Sequence, residues 1–292
     1  MEVVLKIAGN HLDAFQLTLI RFFIGGMFLL PFALLEIKRY QTKITKKDLL
    51  HMLAMGVVCI CVSMVFFQLG VINSKASTSA VIFCINPMFT MIFVHFMTDE
   101  KLNRVKITAL AFGLLGILFM INPFDMEEGN TLIGVTYTIL AAITFGLYSA
   151  MGRTSIKRLH GITQTSISFL LGSAVMVPIL LVMNKPILTG VSSDNILMVL
   201  YIGIMITGLG YLFYFLAMGV SDAATASIVF FVKPALAPVI AVVALHEVIG
   251  VNGYIGILLI FIGSYINLRD QKNRNKAAVS NGSADNVKET DI

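Results

Sequence analysis

Residues 76–100 read ASTSAVIFCINPMFTMIFVHFMTDE, and residues 223–247 read AATASIVFFVKPALAPVIAVVALHE. At an offset of 147 they pair Ala76 with Ala223, Thr78 with Thr225, Phe83 with Phe230, Pro87 with Pro234 and Glu100 with Glu247. Without a gap, the same offset pairs Phe22 with Phe169, Gly25 with Gly172, Pro31 with Pro178 and Leu53 with Leu200. It also pairs Gly56 with Gly203, Phe66 with Phe213 and Gly116 with Gly263. Apolar composition alone would not align Gly, Pro and Glu. The chain is a tandem duplication, and self-similarity of this kind bounds the architecture before single elements are read.

Both quoted stretches belong to long apolar runs. The 292-residue chain is 57% apolar and only 13% charged, with a mean hydropathy of +0.88, whereas soluble domains carry about 25% charged residues. So few charges cannot cover a water-facing surface, and the bilayer is the solvent that tolerates them. Residues 49–74, 76–98, 107–124, 129–152, 159–184, 195–221 and 248–268 hold no Asp, Glu, Lys or Arg. Each run can supply a spanning helix, which needs about 20 apolar residues. Two more spans start near Phe15, including Arg21, and at Ala223, around Lys233. Barrel strands are half as long and alternate in polarity, so the fold class is an all-α polytopic membrane protein, its backbone satisfied within each helix.

The second half holds five helices from about Thr131, and the offset places the counterpart of its start upstream of Met1. The expectation is nine full transmembrane helices plus the end of a tenth, the truncated helix 1 being the stub Met1 to Ala8. The first repeat occupies 1–122 and the second 131–268. Residues 269–292, rich in Lys, Asn, Ser, Asp and Glu, are expected to form a disordered cytoplasmic tail, because they cannot bury enough apolar surface to order themselves. Sixteen of the 21 Lys and Arg fall on the side of that tail and three, Lys6, Lys75 and Lys185, on the other. The positive-inside rule then places the C-terminus in the cytoplasm of a multi-pass cell (inner) membrane protein. Five helices per half make the two repeats inverted, as in many secondary transporters.

The residues that recur are Ala76-Ser-Thr-Ser-Ala with Asn86-Pro87 and Asp99-Glu100, then Ala223-Ala-Thr-Ala-Ser with Lys233-Pro234 and His246-Glu247. Over roughly residues 1 to 268 this pattern resembles the EamA family of the drug/metabolite transporter superfamily, departing from its ten helices only in the shortened first one. The resemblance implies transport of small metabolites, commonly outward, through a cavity lined largely by helices 1, 3, 4, 6, 8 and 9.

Lys233 sits about ten residues from either end of its span, where an ionised Lys costs about 2.5–3.5 kcal/mol. It is read as facing the cavity and meeting a substrate carboxylate, with pairing to helix carbonyls as the structural alternative. Its repeat mate is the neutral Asn86. Ser63, Thr90, Tyr148, Thr207, Tyr211 and Tyr214 offer hydroxyls near mid-depth that could orient a substrate or bond a neighbouring helix. Pro87 and Pro234 lie mid-span at equivalent places and are candidate kinks or gating hinges. Glu100 and Glu247 each precede the next helix and could cap its amides or couple protons.

Arg21, with Ser168 as its mate, lies near the outer end of its span and is expected to snorkel to the interface, with substrate contact as the alternative. His95 is read as a packing residue. Cys59, Cys61 and Cys84 are read as buried thiols, since no CxxC occurs. Gly113, Gly116, Gly253, Gly256 and Gly263 fit close helix packing, with a homodimer contact as the alternative.

A secondary transporter of small metabolites such as amino acids or other carboxylate-bearing compounds, working by alternating access as an exporter, accounts for these features. A channel or a membrane receptor for a small ligand is the alternative. An intramembrane enzyme is the weakest reading, because GxSxG and HExxH are both missing. GxxxxGK[ST] is also missing, which argues against ATP hydrolysis. The expectation is therefore no catalytic residue, no metal, no cofactor and no nucleic-acid partner, with the lipid bilayer and a small-molecule substrate as the partners.

Overall fold

Apolar runs bounded by charged loops fold into helices, and no strand occurs among the described residues of this computed structural model, which are 1–98, 104–121, 128–213 and 229–289. The order begins α1 (Glu2–Gly9), α2 (Ala14–Tyr40) and α3 (Lys46–Gly56). A π-helix (Val57–Met64) then leads directly into α4 (Val65–Asn73). α5 (Ala76–Phe83), α6 (Asn86–Met97) and α7 (Arg104–Ile121) follow, then α8 (Leu132–Leu159) and α9 (Gly161–Val182). The last elements are α10 (Ile196–Leu200), a second π-helix (Tyr201–Leu209), α11 (Val229–Leu245) and α12 (Val251–Glu289).

Among the described residues, seven helices are long and apolar enough to cross a bilayer: 14–40, 46–73, 76–97, 132–159, 161–182, 196–213 and 251–270. α7 and α11 are apolar as well and adjoin residues outside the description.

Local chemistry explains the helix ends. The Asp13 carboxylate accepts the Phe15 amide at 2.9 Å at the start of α2. Thr45 and Asp48 form a reciprocal capping box at the start of α3, and the Thr131 hydroxyl accepts the Gly134 amide at 3.0 Å in α8. Each device satisfies amides that have no partner inside the helix.

Two expectations change. Pro87 does not kink a continuous helix. The span breaks at Cys84–Ile85, and Pro87 lies in the first turn of α6, where its missing N–H would have had no intrahelical partner. The chain after Leu268 continues as helix to Glu289. Extending an existing helix incurs no nucleation cost, which offsets the low helix propensity of Gly282 and of the Asn, Ser and Asp residues in this stretch.

Several close approaches recur when each residue is exchanged for the one 147 away. A Cβ on Gly116 would meet the Gly256 carbonyl oxygen at 2.8 Å, and one on Gly263 would meet the Ala109 carbonyl oxygen at 2.7 Å. These are mate contacts, 116 with 256 and 263 with 109, and they hold α7 against α12. Gly56 opposes Gly172 in the crossing of α3 and α9, and their mates Gly203 and Gly25 oppose each other where α2 meets the second π-helix. Phe22 and Phe169 are mates themselves and meet edge to face at 4.7 Å, in the core between α2 and α9. The two π-helices overlap under the same offset, 57–62 corresponding to 204–209.

Candidate substrate site

Arg21 lies seven residues into α2, about 10 Å along its axis at 1.5 Å per residue. It is only 1% exposed, which corrects the expectation that it snorkels out. Arg21 sits one helical turn before Gly25, on the face of α2 that also buries Leu17, Thr18, Phe22 and Leu29. That face packs into the protein. Its Nη2 donates to the Met64 thioether at 3.3 Å, and its guanidinium lies 4.7 Å from the Phe22 ring centre. Nε has no hydrogen-bond partner among the described residues. Cys59 on the first π-helix, Tyr211 just beyond the second, and Glu2 on α1 act on it electrostatically. Helices from both halves therefore converge on this side chain. The matched glycine four residues later was the sequence signal for its inward direction.

The hydroxyls singled out in the sequence are mostly engaged within the fold. The Ser63 hydroxyl donates to the Ala141 carbonyl at 2.9 Å, tying the first π-helix to α8. The Thr207 hydroxyl donates to the Ile202 carbonyl at 3.0 Å, five residues back, in register with the π turn. Thr90 bonds back to the Asn86 carbonyl at 3.0 Å, and the Asn86 amide donates to the Phe83 carbonyl at 2.7 Å across the break. Tyr148 is buried beside Phe145, and Tyr211 packs edge to face on Phe169 at 5.0 Å. His95 lies beside Phe96. Ser168, the mate of Arg21, is buried with a hydroxyl that has no partner among the described residues. Tyr214 and Glu100 lie outside the described residues, and for Lys233 and Pro234 only the helical backbone of α11 is described. Among the described residues no three His, Cys, Asp or Glu gather as a metal site.

Glu247 caps a helix, but not the one that follows it. Its carboxylate accepts the amides of Ala76 at 2.6 Å and Ser77 at 3.0 Å and the Ser77 hydroxyl at 2.6 Å, at the start of α5. Lys6 approaches it at 3.4 Å and donates to the Ser74 carbonyl at 2.6 Å. The Lys75 ammonium meets the Val248 carbonyl. One cluster thus joins α1, α5 and the segment after α11. Burial pushes the Glu247 carboxyl up, but the Ser77 and Ala76 donors and Lys6 outweigh it and hold the group below its usual value. A comparable link joins α2 to α9, where the Glu36 carboxylate accepts the Thr163 amide at 2.7 Å and hydroxyl at 2.6 Å.

A separate cavity of about 420 Å³ opens between α2, α9 and the segment before α10, with Leu19, Phe23 and Val177 in its wall. At 100° per residue, Leu19 and Phe23 lie on the far side of α2 from Arg21. Ser173 is the only polar residue lining it, so it offers little to orient a polar metabolite.

Comparison with known proteins agrees with this architecture. The sequence profile of the EamA-like transporter family matches residues 1–122 and again 132–269. An uncharacterized transporter of Clostridium kluyveri is 38% identical over 268 residues, covering 90% of this chain and 86% of that protein. The S-adenosylmethionine uptake transporter of Rickettsia prowazekii is 23% identical over 178 residues, 61% of this chain and 58% of that one. A crystal structure superposes with a TM-score of 0.65 over 91% of each chain at 17% identity, a likeness of fold. Two profile matches that together span most of the sequence place this chain in the EamA-like transporter family.

Proposed function

We propose that the protein is a secondary transporter that exports carboxylate-bearing small metabolites, amino acids among them, across the cell membrane by alternating access. In this reading nine full spans, with α1 before them, form two inverted repeats, with the C-terminal end in the cytoplasm. The observation that carries it is the recurrence of helix contacts under exchange of the two halves: Gly116 on Gly256 with Gly263 on Ala109, and Gly56 on Gly172 with Gly203 on Gly25. Two similar halves packed about such an exchange have two equivalent ways to rock against each other, which is how inverted-repeat transporters expose one site to either side. The interrupted span at Cys84–Ile85 supports this, since irregular backbone at membrane depth is tolerated where it is buried in protein or lines a cavity.

Counterflow in proteoliposomes, with pooled amino acids and organic acids as internal and external solutes, tests the reading. Saturable uptake that rises when the same solute is preloaded inside is the expected result. Flux that neither saturates nor responds to preloading would establish a channel, and binding without flux a receptor. The Rickettsia relative is named for uptake, so direction is to be measured in right-side-out and inside-out vesicles. Lys233→Met is expected to abolish counterflow while membrane insertion stays normal, and wild-type rates would remove Lys233 from the site.

A further inference from the structure

We infer that Arg21 is the carboxylate-receiving group of the transport site, holding a substrate monoanion on the guanidinium edge that includes its unpartnered Nε–H. The inference rests on the transporter reading above and moves the carboxylate contact that the sequence suggested for Lys233 to Arg21, leaving Lys233→Met a test of the site as a whole.

A guanidinium carries five N–H donors and does not deprotonate in proteins. Arg21 gives one donor to a thioether sulfur, a weak acceptor, and rests on the Phe22 ring. Its Nε gives to nothing among the described residues, and no described carboxylate lies within 4.0 Å of it. Glu2 acts on it electrostatically from beyond ion-pair distance. A buried charge that no described carboxylate contacts is strongly destabilising, and removing one partner of a buried pair exposes that cost. A site that keeps such a charge is complete only when an anion arrives.

Geometry and charge balance select the anion. One guanidinium matches one carboxylate through parallel N–H···O bonds and neutralises it. A phosphate dianion would bring in a second charge that no described cation beside Arg21 meets. The surrounding Met64, Phe22 and Cys59, with Tyr211 acting from beyond the second π-helix, suit an apolar or mildly polar remainder. Tyr211, from the second half, acts on this residue electrostatically, so its surroundings change when the halves rock.

The test measures thermal unfolding of the full-length protein in detergent and counterflow of the same preparation in vesicles. The probes are pools of the standard amino acids and of C3 to C6 monocarboxylates, the corresponding amides, and inorganic phosphate. Carboxylates are expected to raise the wild-type melting temperature, and amides and phosphate to leave it unchanged. Arg21→Met is expected to melt above ligand-free wild type, since it removes the uncompensated charge, yet to gain nothing from carboxylates. Its KM in counterflow is expected to rise at least about 30-fold, the loss of one charge-assisted hydrogen bond or more. Arg21→Lys, which keeps the charge without the fork, is expected to retain part of the response and carries the test if Arg21→Met does not fold.

Equal carboxylate stabilisation of wild type and Arg21→Met overturns the assignment, as does a wild type that responds to amides or phosphate as well as to carboxylates. Carboxylate stabilisation that depends on Arg21, in a wild type that shows no counterflow, keeps the anion site and removes the transporter reading. Counterflow with an unchanged KM in Arg21→Met does the reverse.

Discussion

Gly56→Ala is expected to yield little folded protein, with a melting temperature far below wild type in detergent. An added Cβ at position 56 would fall inside the contact surface of the Ser168 carbonyl oxygen and 2.8 Å from the Gly172 amide nitrogen. Both obstacles are backbone, so α3 and α9 would have to separate along their crossing. Overpacking a core costs about 1–3 kcal/mol where side chains can rearrange, and here none can. The loss should therefore reach or exceed the top of that range. The mate crossing supplies the control. A Cβ on Gly25 would meet the Thr207 Cγ2 at 2.7 Å and the Gly203 carbonyl oxygen at only 3.4 Å, a side-chain obstacle that can shift. Gly25→Ala is expected to be the milder of the two, by melting temperature and by the fraction that stays monodisperse after heating. Equal losses would show that the two crossings are equally tight.

Glu247→Gln is expected to destabilise the protein by about 2 kcal/mol or more at neutral pH, from the loss of a charged cap and its hydrogen bonds. The deprotonated carboxylate is the form that binds the amides of Ala76 and Ser77, and its folded value lies below the usual 4.5. Its contribution is complete above the unfolded value and is lost as pH falls through the lower folded one. Melting temperatures of wild type and variant should therefore run parallel near neutral pH and converge below about pH 5. A gap that stays constant into acid would mean that the charge contributes nothing. Lys6→Gln should reproduce only a small part of the effect, since that pair is partly exposed and longer, at 3.4 Å.

Charge-free runs of 20 or more residues leave the backbone no choice but helix in hydrocarbon, which is why the spans were legible without a structure. The direction of Arg21 was harder. A cation one or two turns inside a span can reach outward to the interface or inward to a cavity, and composition is the same in both cases. What decides is which face of α2 packs, and the sequence marked that face only through Gly25, one turn on. The break before Pro87 went unread because a proline suits the first turn of a helix as well as it kinks the middle of one. The partner of Glu247 lies 170 residues away in the chain, and no local pattern points across that separation. The π-helices leave no trace in residue type. Val57–Met64 and Tyr201–Leu209 are apolar runs like their neighbours, and only the hydroxyl of Thr207, bonded five residues back, follows their pitch.

Those two π-helices also bear on the duplication. A π turn accommodates an extra residue within a helix, and an insertion made in one half after the halves had parted would have shifted the register of everything beyond it. The offset of 147 instead runs unchanged from Phe22 and Phe169 to Gly116 and Gly263, through both wide turns. An unbroken offset through both wide turns is what two halves that share the same helix winding give, the π turns overlapping at 57–62 and 204–209.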